Sequence, residues 1–404
     1  MAEELARRRK KQPFTIGEIE ETTRKWILPL AITVGVCFAT SGALNMLNQL
    51  YLKELGAEPL IISLNMTLFW LAMLIGSVFW GTLSDHYQVK PLLFVIIGAT
   101  TLTAGILALL LPAPGVLTTI FVRAFVISGL IPISMAIVSR ASSSHRRGRN
   151  LSYITFPRTM GRALGTALAG FLVVALGFKV SFLALAALPL VGLPLLFRLP
   201  EDAKAVSTGR ESSLRRLKES GLGSLYVGAT LAQMGAMGSL SLVFVYMASL
   251  GIPAGIMGMI SALGPAVAMP GVLLFGRLAD RVRRKAVFAL GFGMVMLMPL
   301  IFAFARGAWG MAAGHLAFGI SFSALYIGST AHIGDLIPAQ RHGQMLGLFD
   351  SIRAFGGVLG PLVAGATTSS FGFQGMFLTM AGIATLGFVL VLFRPHAPAT
   401  TTLK

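Results

Sequence analysis

Long apolar runs alternate with short polar turns along the whole chain. Twelve runs reach the roughly 20 residues a helix needs to cross a hydrocarbon core, where every backbone polar group must bond within its own segment. They are Trp26 to Leu52, Pro59 to Leu83, Pro91 to Pro112, Gly115 to Ser139, Leu151 to Leu176, Phe178 to Arg198, Leu222 to Leu250, Pro253 to Leu278, Ala286 to Phe304, Ala308 to Leu336, Gly343 to Ser369, and Phe371 to Arg394. These are spans one to twelve below. The pattern predicts an all-α membrane protein.

The polar stretches divide the chain. Residues 1–25 read as a cytoplasmic tail, because they stay charged too long to be a cleaved signal peptide. Residues 199–221 form a charged linker, and residues 395–404 a short cytoplasmic tail. The predicted halves are therefore residues 26–198 and 222–394, six spans each.

Charge orients them, since Lys and Arg near short loops stay on the cytoplasmic side. Lys53, Lys179 and Arg306 lie in loops on one side, and Arg123, Arg158, Arg162 and Arg353 lie inside spans. The other 26 of the 33 basic residues fall on the side of the N-terminal tail. Both termini are expected in the cytoplasm of a cell whose inner (plasma) membrane holds the protein.

An offset of 195 residues superimposes the halves. It takes Tyr51 to Tyr246, Gly56 to Gly251, Gly81 to Gly276, Asp85 to Asp280, Lys90 to Lys285, Arg158 to Arg353 and Gly177 to Gly372, without insertion. It also takes Gly161, Gly165 and Gly170 to Gly356, Gly360 and Gly365. Six spans is an even number, so the copies keep their orientation and are related by an axis along the membrane normal.

Composition narrows the function. With 55% hydrophobic and 12% charged residues and a mean hydropathy of +0.79, water is not the solvent. The net charge of +18 sits in short loops and not on one face of a soluble domain, which excludes nucleic acid as a partner. Cys37 is the one cysteine, and the six histidines form no close metal-binding spacing, so no metal or other cofactor is expected. No phosphate loop, nucleophile elbow or zinc helix points to an enzyme.

The loop after span two reads GTLSDHYQVK (Gly81 to Lys90) and returns after span eight as GRLADRVRRK (Gly276 to Lys285). It resembles the signature of the major facilitator superfamily, a glycine, then an aspartate, then a basic cluster. The resemblance extends over the membrane-embedded length and implies two six-helix bundles with pseudo-two-fold symmetry around a central cavity. It also implies a secondary transporter working by alternating access, most like drug-efflux members. Gly81 and Gly276 are then expected to let helices approach closely. Asp85 and Asp280, with Lys90, Arg281, Arg284 and Lys285, would latch the cytoplasmic side. The first copy departs from the pattern at Gln88 and Val89. Arg123 is similar in placement to the family's intramembrane arginine. Gly161, Gly165 and Gly170 resemble its antiporter glycines, although Thr166 stands where the proline is common.

Polar side chains inside spans are the remaining chemistry. Ser41, Asn45 and Asn48 share one face of span one. The resemblance places spans one, four, seven and ten around the cavity, which adds Arg123, Gln233, Tyr246, Tyr326, Ser329 and His332, with Arg162 from span five, as substrate-binding candidates. Asp350, the one acid well inside a span, lies three residues from Arg353, the spacing of a helical ion pair. Asp350 is the expected proton carrier, with Arg353 as partner and His332 in reserve. The whole is a monomer in the lipid bilayer carrying a small-molecule substrate with H+. An anionic or amphipathic metabolite is the second reading, favoured by Arg123, Arg158 and Arg162.

Overall fold

The computed structural model describes residues 16–141, 147–199, 223–281, 284–336 and 342–393, and contains no strand among them. Nine described helices are long and apolar enough to cross a membrane: Trp26–Glu54, Pro59–Ser84, Val89–Leu109, Ala113–Val138, Asn150–Leu196, Ala254–Leu278, Ala286–Phe304, Ala308–Ser329 and Gly347–Phe393. Gly223–Ser241 and Val243–Ser249, bent by 42°, make a tenth. Asn150–Leu196 and Gly347–Phe393 each run 47 residues, about twice the length of one crossing. Each contains one glycine with positive φ, Gly177 and Gly372, both at 67°. Divided there, the helices follow the order of the twelve apolar runs.

The repeat is visible in the backbone. Among the described residues, the four glycines with positive φ are Gly56 (72°) with Gly251 (71°) and Gly177 with Gly372, two pairs 195 residues apart. An L side chain would be strained at any of the four. All four sit at the end of the bundle away from Trp26, here the far end; the face where Trp26 enters is the tail end.

Aromatic packing repeats as well. Tyr51 packs on Phe178 and Phe182 with ring centroids 5.3 and 5.9 Å apart, and its hydroxyl donates to the Leu111 carbonyl at 3.2 Å. Tyr246 packs on Phe373 and Phe377, each at 5.1 Å, and donates to the Ala305 carbonyl at 2.9 Å. Each tyrosine thus ties three spans of its half together at the far end.

Inside each half, glycines draw two spans into backbone contact, the packing mode of helices in lipid. A side chain at Gly161 or Gly165 would strike the carbonyls of Gly35 or Ala39 on span one. At Gly356 or Gly360 it would strike those of Thr230 or Met234 on span seven. These four carbonyls obey the same offset.

Two spans break, each for a local reason. The fourth interrupts between Ile127 and Leu130, where the Trp80 ring fills the space a side chain at Gly129 would need, and Trp80 Nε1 donates to the Phe125 carbonyl at 2.8 Å. The seventh breaks at Leu242 (φ −122°, ψ 10°), which frees the amide of Phe244. Gln49 of the other half meets that break: its Oε1 accepts from Phe244 N and its Nε2 donates to Leu240 O, both at 3.4 Å. Gln49 and Phe244 are themselves 195 residues apart. A residue touching its own counterpart lies on the axis relating two equivalent units, as in any two-fold interface.

Candidate functional site

The halves meet through spans two and eleven and through spans five and eight. At the far end, a side chain at Gly170 would strike the Ala254 carbonyl, and one at Gly365 would strike Leu60. Further in, Thr67 Oγ1 donates to the Val358 carbonyl at 3.2 Å, and the Trp70 indole lies against Gly357. Trp70 is eleven residues from Pro59, about 16 Å along the helix. These contacts, with Gln49, seal the far end to about mid-depth.

Toward the tail end, charged groups of both halves face one gap. Arg158 of span five lies within electrostatic range of Asp350, Tyr326 and Arg353. Arg353 Nη2 and Asp350 Oδ1 are 3.3 Å apart, and the carboxylate side chain is 56% exposed against 16% for the arginine. Asp350 is thus exposed within electrostatic range of an arginine of the other half. Tyr326 is 38% exposed and stacks on Phe322 with the rings 4° from parallel. Gln233 and Arg353 line a void of about 20 Å3 beside Phe318, enough for one water molecule.

Deeper in the N-terminal half, Arg162 lies between Arg123 and Arg158, close enough to be repelled by both. Its guanidinium rests over the Phe69 ring at 5.7 Å, and that of Arg158 over Phe38 at 5.3 Å. Arg123 is 1% exposed, with Nε and Nη1 unpartnered.

The family profile described as Major Facilitator Superfamily matches residues 30–228 and 225–404. The chain belongs to the Major Facilitator Superfamily. This is a transporter family, so the chain is a transporter and not an enzyme. It is 27% identical to the multidrug resistance protein MdtG of Klebsiella pneumoniae (strain 342), over 94% of this chain and 97% of that protein. It is 26% identical to MdtG of Salmonella typhimurium, over 89% and 93%. Among solved structures it is similar to the nucleoside transporter NupG, with TM-score 0.75, 14% identity and coverage of 91% and 100%. A bacterial homolog of the human lysosomal transporter Spinster, inward-facing and occupied, follows with TM-score 0.74, 15% identity and coverage of 91% and 95%. At those identities the likeness establishes the superfamily fold.

Within that fold the expected site residues separate. Ser41 and Asn48 are buried and Asn45 is half-buried; neither amide atom of Asn48 has a partner. Tyr246 is held in the far-end aromatic clasp with its hydroxyl bonded to Ala305. Ser329 is buried with its hydroxyl unpartnered. Asp350 and Arg353 do pair, and the Asp350 side chain is exposed.

Among the described residues, nothing lies within 4 Å of a side chain built at Gly81 or Gly276. Both are at the tail end. Lys90 Nζ donates to the carbonyls of Phe197 and Leu199 at 3.3 and 3.4 Å, capping span six of its own half. The side chains of Asp85, Asp280, Arg281, Arg284, Lys285 and His332 lie outside the described residues.

Gln49 and His315 went unnoticed in the sequence. His315 is buried in span ten, stacked on Phe302 at 5.2 Å, with Nδ1 2.8 Å from the Met311 carbonyl and Nε2 unpartnered. A lone Gln or His in an apolar run carries no spacing that would single it out.

Proposed function

We propose that this member of the superfamily exports drug-like, amphipathic compounds across the inner membrane in exchange for protons, as a monomer of twelve crossings with both termini in the cytoplasm. The observation that carries the reading is the gap between the halves. Charged and aromatic groups of both halves face it at the tail end, while Gln49, Gly170 and Gly365 close the far end. The basic loops put the tail end in the cytoplasm. The cavity is therefore inward-open, and rocking of the halves about the Gln49 axis would open it outward. The relatives named multidrug resistance protein support the substrate class, and Asp350 is the carboxylate available to carry the proton.

In this reading Arg123, Arg162, Gln233 and Tyr326 line the substrate path with the Ser41, Asn45 and Asn48 face. The duplicated loops at Asp85 and Asp280 close the cytoplasmic end in the outward-open state. The test uses everted membrane vesicles containing the protein. A fluorescent amphipathic dye should accumulate when the lumen is acidified, and a protonophore should release it. Accumulation indifferent to the protonophore would remove proton coupling, and absence of accumulation across a panel of amphipathic dyes would remove the efflux reading.

A further inference from the structure

The N-terminal half holds Arg123, Arg158 and Arg162 inside its spans and no Asp or Glu at comparable depth; Glu54, Glu58 and Asp85 stand at span ends. A guanidinium at membrane depth is costly unless compensated. In the C-terminal half Arg353 has its compensation in Asp350. In the N-terminal half the faces of Phe38 and Phe69 take Arg158 and Arg162, an attraction weaker than a carboxylate would give. Arg123 has repulsion from Arg162 and two unpartnered nitrogens.

Other buried groups are unmet as well. Arg123 Nε and Nη1 are buried and unbonded donors, as are the Trp70 indole nitrogen and Asn65 Nδ2 on span two, while Asn48 on span one leaves both its amide atoms unbonded. Trp70 stands edge-on to Phe69 with ring centroids 6.2 Å apart, so its indole adjoins the shelf on which Arg162 rests. Buried donors of this kind have acceptors as a rule.

The internal repeat shows that this cluster is not scaffolding. Adding 195 takes Arg123 to Phe318, Arg162 to Gly357, Trp70 to Pro265 and Asn65 to Ile260. The C-terminal half folds the same way with none of these donors.

We propose that Arg123 and Arg162, with Phe69 and Trp70 beside them, form a subsite for the acidic headgroup of an aromatic amphiphile, a carboxylate, sulfonate or phosphonate. The headgroup supplies the missing charge and acceptors, and its ring extends the aromatic shelf. Arg162, half-buried, is the side of approach. The inference goes beyond the efflux reading above and rests on it only in taking the gap as the substrate's entrance.

The test is binding to the purified full chain, with three probes of one shape: naphthalene-2-sulfonate, 2-naphthylmethylammonium and naphthalen-2-ylmethanol. Calorimetry should show the sulfonate binding about ten-fold or more tighter than the ammonium, the worth of a charged hydrogen bond. Arg162→Gln and Arg123→Gln should each weaken the sulfonate by about ten-fold or more and the alcohol by clearly less, with Arg162→Lys intermediate. Should Arg123→Gln fail to fold, the Arg162 variants carry the test. Equal affinities for sulfonate and ammonium, no sulfonate binding by the wild type, or undiminished sulfonate affinity in Arg162→Gln would each overturn the subsite. None of these readouts depends on transport, so the subsite can fail while dye export stands, and export can fail while the subsite stands.

Discussion

Asp350→Asn separates a coupling role from a structural one, and the exposure of the carboxylate makes the separation clean. At 3.3 Å the pair with Arg353 would be worth about 5 kcal/mol at an effective dielectric of about 20 and about 1 kcal/mol in water. Because Asp350 is 56% exposed, the water limit governs, and the side-chain ordering of an exposed helical pair brings the net to about 0.5 kcal/mol. The variant should therefore fold, with its melting midpoint lowered by no more than about 2 °C. In proteoliposomes, accumulation driven by a pH gradient should be abolished while exchange of substrate across the membrane continues, since exchange needs alternation without net proton movement. Arg158 adds a second consequence: it loses a negative charge of the other half. Gradient-driven accumulation at wild-type rate in Asp350→Asn would refute the coupling role. A loss of folded protein would refute the energetic argument, because removing one partner of a fully buried pair costs about 3–5 kcal/mol; Asp350→Asn with Arg353→Gln should then restore folding.

Two further outcomes follow from the packing. Gly165→Leu should remove folded protein, since its side chain meets the Ala39 carbonyl, whereas Gly276→Leu should run as a monodisperse peak on size exclusion and lose transport, because its neighbourhood fills only when the tail end closes. A well-folded Gly165→Leu would contradict the backbone contact. Tyr246→Phe should lower the melting midpoint by the worth of one hydrogen bond, about 0.5–1.5 kcal/mol, with KM for the transported dye unchanged; a raised KM at unchanged stability would return Tyr246 to the substrate path.

Much of the fold is legible in the sequence because lipid imposes a length on each apolar run and the repeat supplies an internal check. Gly177 and Gly372, aligned by the offset alone, turn out to be the two positive-φ breaks in the longest helices. Gly161 and Gly165 stand against span one as small-residue spacing predicts. What the sequence does not show depends on conformation or on partners far along the chain. The backbone interruption at Leu242 has no proline or glycine to announce it, and Gln49 meets it from 191 residues away. A glycine's contacts depend on which end of the cavity is closed, which is why Gly81 and Gly276 face open space. Asp350 likewise lies inside an apolar run and yet is exposed. Residue type marks a group as able to do chemistry, while the state of the gap decides whether it is available.

The offset also sorts structure from function. Positions alike in both halves are packing positions: the tyrosine clasps, the glycines at Gly161 and Gly356, and the turns at Gly56 and Gly251. Positions where the halves differ hold most of the unusual chemistry. Arg123 faces Phe318 in the alignment, Arg162 faces Gly357, Asp350 faces Thr155, Asn48 faces Val243, and His315 faces Ile120. Rocking two equivalent bodies about an axis requires matched packing, because each half must present equivalent surfaces at spans two with eleven and eight with five. A substrate carrying its charge at one end requires the opposite, a site that breaks the symmetry. The unmatched arginines lie in one half and the unmatched acid in the other, with Arg158 and Asp350 within electrostatic range of each other. In the proposed mechanism, a ligand on the N-terminal arginines and a proton on Asp350 would act on opposite sides of the same gap. Each alters the charge across which the halves must close, and that is the physical requirement for coupling one movement to the other.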